Sequence, residues 1–322
     1  MRSHSIRALM MLAILSVFTG FPSLLRGEQP AIEFKLETGR VVITSRGKQL
    51  ATYVYADDKI SRPYFAHVHG LGKAQLTRNH PPQQGDAQDH DLLHPGLWFA
   101  LGDLSGHDNW RLKARVIGGE FLAKPTSDSQ EGSFAVRNQY LSDNGLETVC
   151  REDCRYRFRP QPWGCLVLID STFTSVLDDC KFGDQMEEMG LAIRLATPLA
   201  VNSKQGGRIL DSEGRVNERD VRERLANWCD YAGSLNGHPA GITLMADPGN
   251  PRRTWWHARD YGFVTANPFH AHPDRDQDQP LELQADQSVR FRFGIALHDE
   301  SVGSEYDPKV AYAEFVSLFD KP

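Results

Sequence analysis

The 322-residue chain sets 36 Lys and Arg against 42 Asp and Glu for a formal charge of -6, with 12 histidines, 5 cysteines and 10% aromatic residues. No basic run accompanies that modest acidic excess, which excludes nucleic acid as a natural partner and disfavours anionic membrane surfaces. There is no Walker A loop, no Gly-x-Gly-x-x-Gly opening a helix and no Gly-x-Ser-x-Gly elbow, so nucleotide-dependent and serine-hydrolase chemistry lack their sequence marks.

Residues 1–27 carry a short basic start (Arg2, Arg7), an apolar core from Ala8 to Phe18 and an exit containing Gly, Pro and Ser, the pattern of a secretory signal peptide. The apolar run of about eleven residues is shorter than the ~20 that cross a bilayer as a helix. The expectation is an exported protein, periplasmic or extracellular, with no membrane span in the mature chain. An uncleaved amino-terminal anchor is the alternative, because no Ala-x-Ala site precedes Glu28.

Residues 28–322 read as one domain. Apolar and polar residues alternate over 32–36, 41–45, 51–55, 134–140, 154–158, 166–173, 191–195, 241–245, 263–266 and 289–297, the period-two signature of half-buried strands, with Gly, Pro, Asn and Asp turn signals between them. Helical patterns are few, at 217–228 and 308–319. An all-β domain built as a large two-sheet sandwich follows, since two packed sheets bury that many strands. The five cysteines are odd in number, and Cys150 and Cys154, about 13 Å apart on an extended strand, are too far separated to bridge.

The loop 71–96 is too polar and too broken for a strand, and long loops in compact domains are commonly functional. It holds Arg78, Asn79, His90 and His94, just after His67 and His69, two apart and so on one face of an extended strand. His67, His69, His90 and His94 are therefore candidate ligands for a divalent metal, although nothing in the spacing closes the set. The second concentration is 255–269, where Trp256, His257, Arg259 and Asn267 supply aromatic surface and hydrogen-bonding groups. Glu188 stands in an acidic segment just before an apolar strand.

The run His90-Asp91-Leu92-Leu93-His94-Pro95-Gly96-Leu97-Trp98-Phe99, the stretch from Glu188 to Pro198 and the 255–269 segment resemble a secreted bacterial family of unestablished function labelled PmoA-like, over about residues 50 to 300. That family has an Asp-His-Pro-His-His-Arg-Gly-Leu-Trp pattern, and here Leu92 and Leu93 stand where Pro or His is expected, thinning the histidine cluster. The family label implies a metal-dependent oxidoreductase. In outline the expected sandwich is similar to the aldose-mutarotase-like supersandwich group, an analogy that fixes no activity.

Export, the strand pattern, the aromatic segment and the loop histidines together point to an enzyme acting on a sugar or sugar derivative by His and carboxylate acid–base chemistry. The expected acid–base groups are His69, His94 and His257 with Glu188 as carboxylate partner. Arg78, Asn79, Trp98, Trp256, Arg259 and Asn267 are expected to hold a small-molecule or oligosaccharide substrate. A carbohydrate-binding module without catalysis and a metal-dependent oxidoreductase are the competing readings.

Overall fold

The computed structural model describes residues 31–72, 74–177, 179–183, 187, 189–270 and 279–319. The segment read as a signal peptide and the candidate Glu188 lie outside the described residues. Two large antiparallel sheets dominate. Nine strands lie in the order Glu33–Glu37, Arg40–Ser45, Lys48–Val54, Tyr64–Ala66, Leu97–Leu101, Met189–Arg194, Phe263–Asn267, Trp255–Arg259 and Arg224–Leu225. Eight more run Arg208–Asp211, Trp228–Leu235, His238–Ala246, Ser288–Asp299, Gly164–Ser175, Thr148–Gln161, Gly132–Leu141 and Val116–Ser127. A small sheet pairs Asp179–Phe182 with Leu281–Gln284.

Alternation along each strand decides what faces what. Phe65, Leu97, Leu191, Ile193, Trp256, Ala258, Val264 and Ala266 point inward and share one core with Phe134, Val167, Ile169, Ile242, Leu244, Phe293 and Ile295 of the second sheet. The far side of the second sheet is sealed by the helix Pro308–Ser317, whose Ala311 and Phe315 cover Leu166, Leu168, Met245 and Ala296. That helix starts where Asp307 accepts the Lys309 amide with Pro308 at the first turn.

The outward face of the nine-stranded sheet carries Tyr64, Ala66, Trp98, Ala100, Ala192 and Phe263, covered in part by Ile60 and Trp110. The later part of the polar loop 71–96 lies on this face, where His94 packs on Trp98 and Phe263. Among the described residues no helix is long and apolar enough to cross a membrane.

Each run expected as a strand overlaps one of these elements, and the all-β two-sheet architecture stands. The helix expected over 217–228 is a correction. It covers only Asn217–Val221, because Glu223 turns into a left-handed conformation (φ 58°) and Arg224–Leu225 pairs instead with Trp255 and Trp256 at the sheet edge.

Candidate functional site

The loop is fastened from below by two buried guanidinium groups. Arg78, 1% exposed, donates from Nη1 to the carbonyls of Ala87 and Asp89 at 2.9 and 2.6 Å, and from Nη2 to those of His90 and His94 at 3.2 Å each. Arg62 donates to the Leu93 carbonyl at 2.7 Å and to that of Trp110 at 2.7 Å. The planar fork of Arg suits such many-carbonyl anchoring.

Held this way, Asp89 meets Arg194, an outward-facing residue of Met189–Arg194, in a two-point pair at 2.8 and 2.7 Å. Asp89 also lies 2.8 Å from His90 Nδ1. Burial would raise the Asp89 pKa, but the hydrogen bonds from Arg194 and His90 and the charges of Arg194 and Arg78 outweigh it and hold the carboxyl well below the usual range. An ionised Asp89 can only accept, so His90 Nδ1 donates the proton of this bond and Nε2 points away from the carboxylate. The His90 side chain is 47% exposed and its backbone sits at φ 49°. That conformation is costly for a residue other than glycine and is concentrated at functional sites.

His94 differs from its neighbour. Its ring is packed between His90, 4.6 Å away, and Phe263, 4.7 Å away, above Trp98 at 5.1 Å. Burial first, then the charges of Arg194, His90, Arg78 and Arg62, push its pKa down to about 2.

Across the sheet, His257 stands in register with Thr265 on the outward face, and His257 Nδ1 and Thr265 Oγ1 are both buried without a hydrogen-bond partner. Its Nε2 lies 3.8 Å from Glu187, whose carboxylate also pairs with Arg222 at 2.8 Å and Arg259 at 3.8 Å. Burial, then Arg222 and Arg259, push the His257 pKa down to about 3. Arg259 is held in turn by Glu218 at 2.8 Å.

Tyr261 joins the two halves. The Arg194 and Arg259 guanidinium carbons lie 4.6 and 5.4 Å from its ring centre, and His90 stacks 6.3 Å away. The half-buried Tyr261 ring thus touches His90 directly and is linked to Glu187 only through Arg259.

Several expected roles change. Trp256 is no platform: alternation turns it inward, fully buried, with Nε1 donating to the Ala226 carbonyl. Trp98 faces outward but is 1% exposed beneath His94. Asn267 spends its Oδ1 on the amides of Phe269 and His270 at 2.8 and 3.2 Å. Asn79 bridges Gln75 and Asp86, and Arg78 is committed to carbonyls, so both build the loop.

His69 is placed elsewhere. His67 takes a left-handed conformation (φ 49°) that ends the strand, and the His69 amide pairs with Leu50. Leu50 is five interstrand spacings from His257 in the sheet order, roughly 24 Å. Among the described residues no three His, Cys, Asp or Glu side chains gather as a metal ion would require. The expected residues that do converge are His94, His257 and Arg259, with His90, named only as a metal ligand. Arg194, Arg222 and Tyr261 are not among the expected residues, whereas Asp89 and Glu187 are both legible in the sequence as candidate carboxylates, though without an assigned partner.

A cleft of about 950 Å³ opens near Arg46, Lys48 and Asn236, with Asp299 on its floor. Its buried carboxylate is taken by the amides of Ser301 and Ala74 at 3.0 and 3.4 Å, and His238, the other acid–base residue of the lining, is exposed. The cluster of ionisable side chains lies instead on the outward sheet face.

Fold and site thus define a two-sheet β-sandwich with an ionisable cluster on the outer face of its larger sheet. A family model described as "Family of unknown function (DUF6807)" matches residues 40–310, and the chain belongs to that family. No curated protein matches it in sequence.

Among solved structures it is similar to the galactosidase domain of alpha-galactosidase-sucrose kinase, AgaSK, at 7% identity and TM-score 0.41 over 84% of this chain, spanning 41% of that one. It is also similar to a galactose mutarotase-like protein from Lactobacillus casei (12%, TM-score 0.34, 83% of this chain and 100% of that one). Galactose 1-epimerase from Lactobacillus acidophilus gives 9%, TM-score 0.39, and 84% and 99%.

Proposed function

We propose that the protein is an enzyme acting on a sugar or sugar derivative by proton transfer at the outward sheet face, with His90 and Glu187 as the proton-handling groups. The observation that carries this reading is the chain Arg194, Asp89, His90 ending on an exposed imidazole. A carboxylate that fixes Nδ1–H leaves Nε2 free to take a proton and return it, the arrangement general acid–base catalysis uses. Glu187, held by Arg222 and beside His257 and Arg259, offers a second acid–base group on the same sheet face.

The ligand class follows from the surroundings. Cations and anions are paired within the cluster, which favours a polyhydroxylated ligand over a strongly charged one. His94 and His257, neutral by burial, serve as packing and as hydrogen-bonding walls. The basic and then apolar amino terminus supports export.

The test is His90→Gln, which keeps a polar side chain but cannot shuttle a proton. Conversion of a panel of mono- and oligosaccharides should fall by about 10²-fold or more while ligand binding persists. Binding with no conversion by the wild-type protein would instead favour a carbohydrate-binding module.

A further inference from the structure

On the other side of the turn at 89–92, the same sheet face holds a second cleft of about 420 Å³, inside the ~300–1,000 Å³ range of small-molecule sites. Its floor is Thr52, Val54, Tyr64 and Ala66, cross-strand neighbours on the outward face. The Tyr64 hydroxyl donates to Asp57 Oδ2 at 2.8 Å, while Asp57 Oδ1 accepts the amides of Lys59 and Ile60 at 2.7 and 3.0 Å. Phenol and carboxylate are thus fixed before any ligand arrives.

The His80 ring meets the Tyr64 ring edge-on at 5.4 Å, and His80 Nδ1 is buried without a partner. His67, in its left-handed conformation, completes the wall, a strain of the kind that collects at ligand sites. Arg40 and Lys59 balance Asp57 and Asp91 around the cleft, and Leu92, 37% exposed, makes an apolar rim. A neutral ring bearing hydroxyls matches this lining better than an ion does.

The two sites share one wall. His90 faces the acid–base cluster and the next two residues, Asp91 and Leu92, line the second cleft, with successive Cα atoms only ~3.8 Å apart. We infer that this cleft is a second sugar subsite, so that the protein takes a disaccharide or longer chain, one ring beside His90 and Tyr261 and its neighbour against Tyr64 and Asp57. This inference rests on the reading of the His90 face as a sugar site.

Calorimetric titration of the intact protein with glucose, galactose and galacturonate, and with cellobiose, galactobiose, digalacturonate and their trisaccharides, tests it. At least one disaccharide should bind about tenfold or more tightly than its own monosaccharide. Tyr64→Phe and Asp91→Ala should each remove that gain while leaving the monosaccharide Kd unchanged, and Asp91→Ala should leave the melting temperature unchanged as well. Asp91 is exposed, so its variant keeps the test decisive if Tyr64→Phe perturbs folding. Equal affinity for one ring and two, with monosaccharide binding lost in His90→Ala, overturns the second subsite and leaves the sugar reading standing. Failure of every saccharide to bind overturns both.

Discussion

His90 and His94 stack 4.6 Å apart, yet only the first reaches water. A proton carrier must meet solvent and substrate, so exposure separates a working imidazole from a packed one although the two look alike in sequence. Parity separates the tryptophans. In Trp255–Arg259 a period of two puts His257 and Arg259 outward and Trp256 inward, where it is fully buried. Trp256→Ala should therefore cost about 3–5 kcal/mol of stability, measured by denaturant unfolding, and leave the sugar affinity of the folded fraction intact. Lost affinity at unchanged stability would restore Trp256 as a platform. That inward turn was legible from alternation alone. The bond from Asp89 to His90 was not, because adjacent residues in a polar loop do not reveal which of them a distant arginine will capture.

At the scale of elements, the strands were readable because half-buried strands write period two into the chain. Val116–Ser127 escaped because its residues are mostly exposed or half-buried, leaving no apolar alternation to find. The loop 71–96 was recognisable by composition, but its internal fastening depends on Arg78 finding four carbonyls between Ala87 and His94. Replacing that fork by an ammonium, in Arg78→Lys, leaves several buried carbonyls unpaired. A loss of about 2–4 kcal/mol is expected, with faster proteolytic cleavage within residues 83–92 and reduced turnover. Unchanged cleavage kinetics would show that the loop is held by something else.

Across the whole molecule, burial on the outward face ties stability to pH. His94 and His257 are neutral in the fold, their pKa values lowered to about 2 and about 3 by burial and nearby positive charge. Their ordinary value in the unfolded chain is ~6.5. Their contribution is therefore fully present above that value and lost progressively as pH falls toward the folded values. Asp89, also lowered, adds a loss that begins only below the ordinary carboxylate range of ~4. The melting temperature should be level above pH ~7 and fall steadily below ~6.5. His257→Gln and His94→Gln should each flatten the slope between neutrality and pH ~4, and an unchanged slope in both would contradict the assignment.

In the proposed mechanism one exposed histidine, oriented by Asp89 and Arg194, moves the proton. Initial rates of saccharide conversion, followed by proton NMR for wild type and His90→Gln, measure its contribution. A fall of about 10²-fold or more in a folded variant is predicted, and conversion by His90→Gln at the wild-type rate would contradict it.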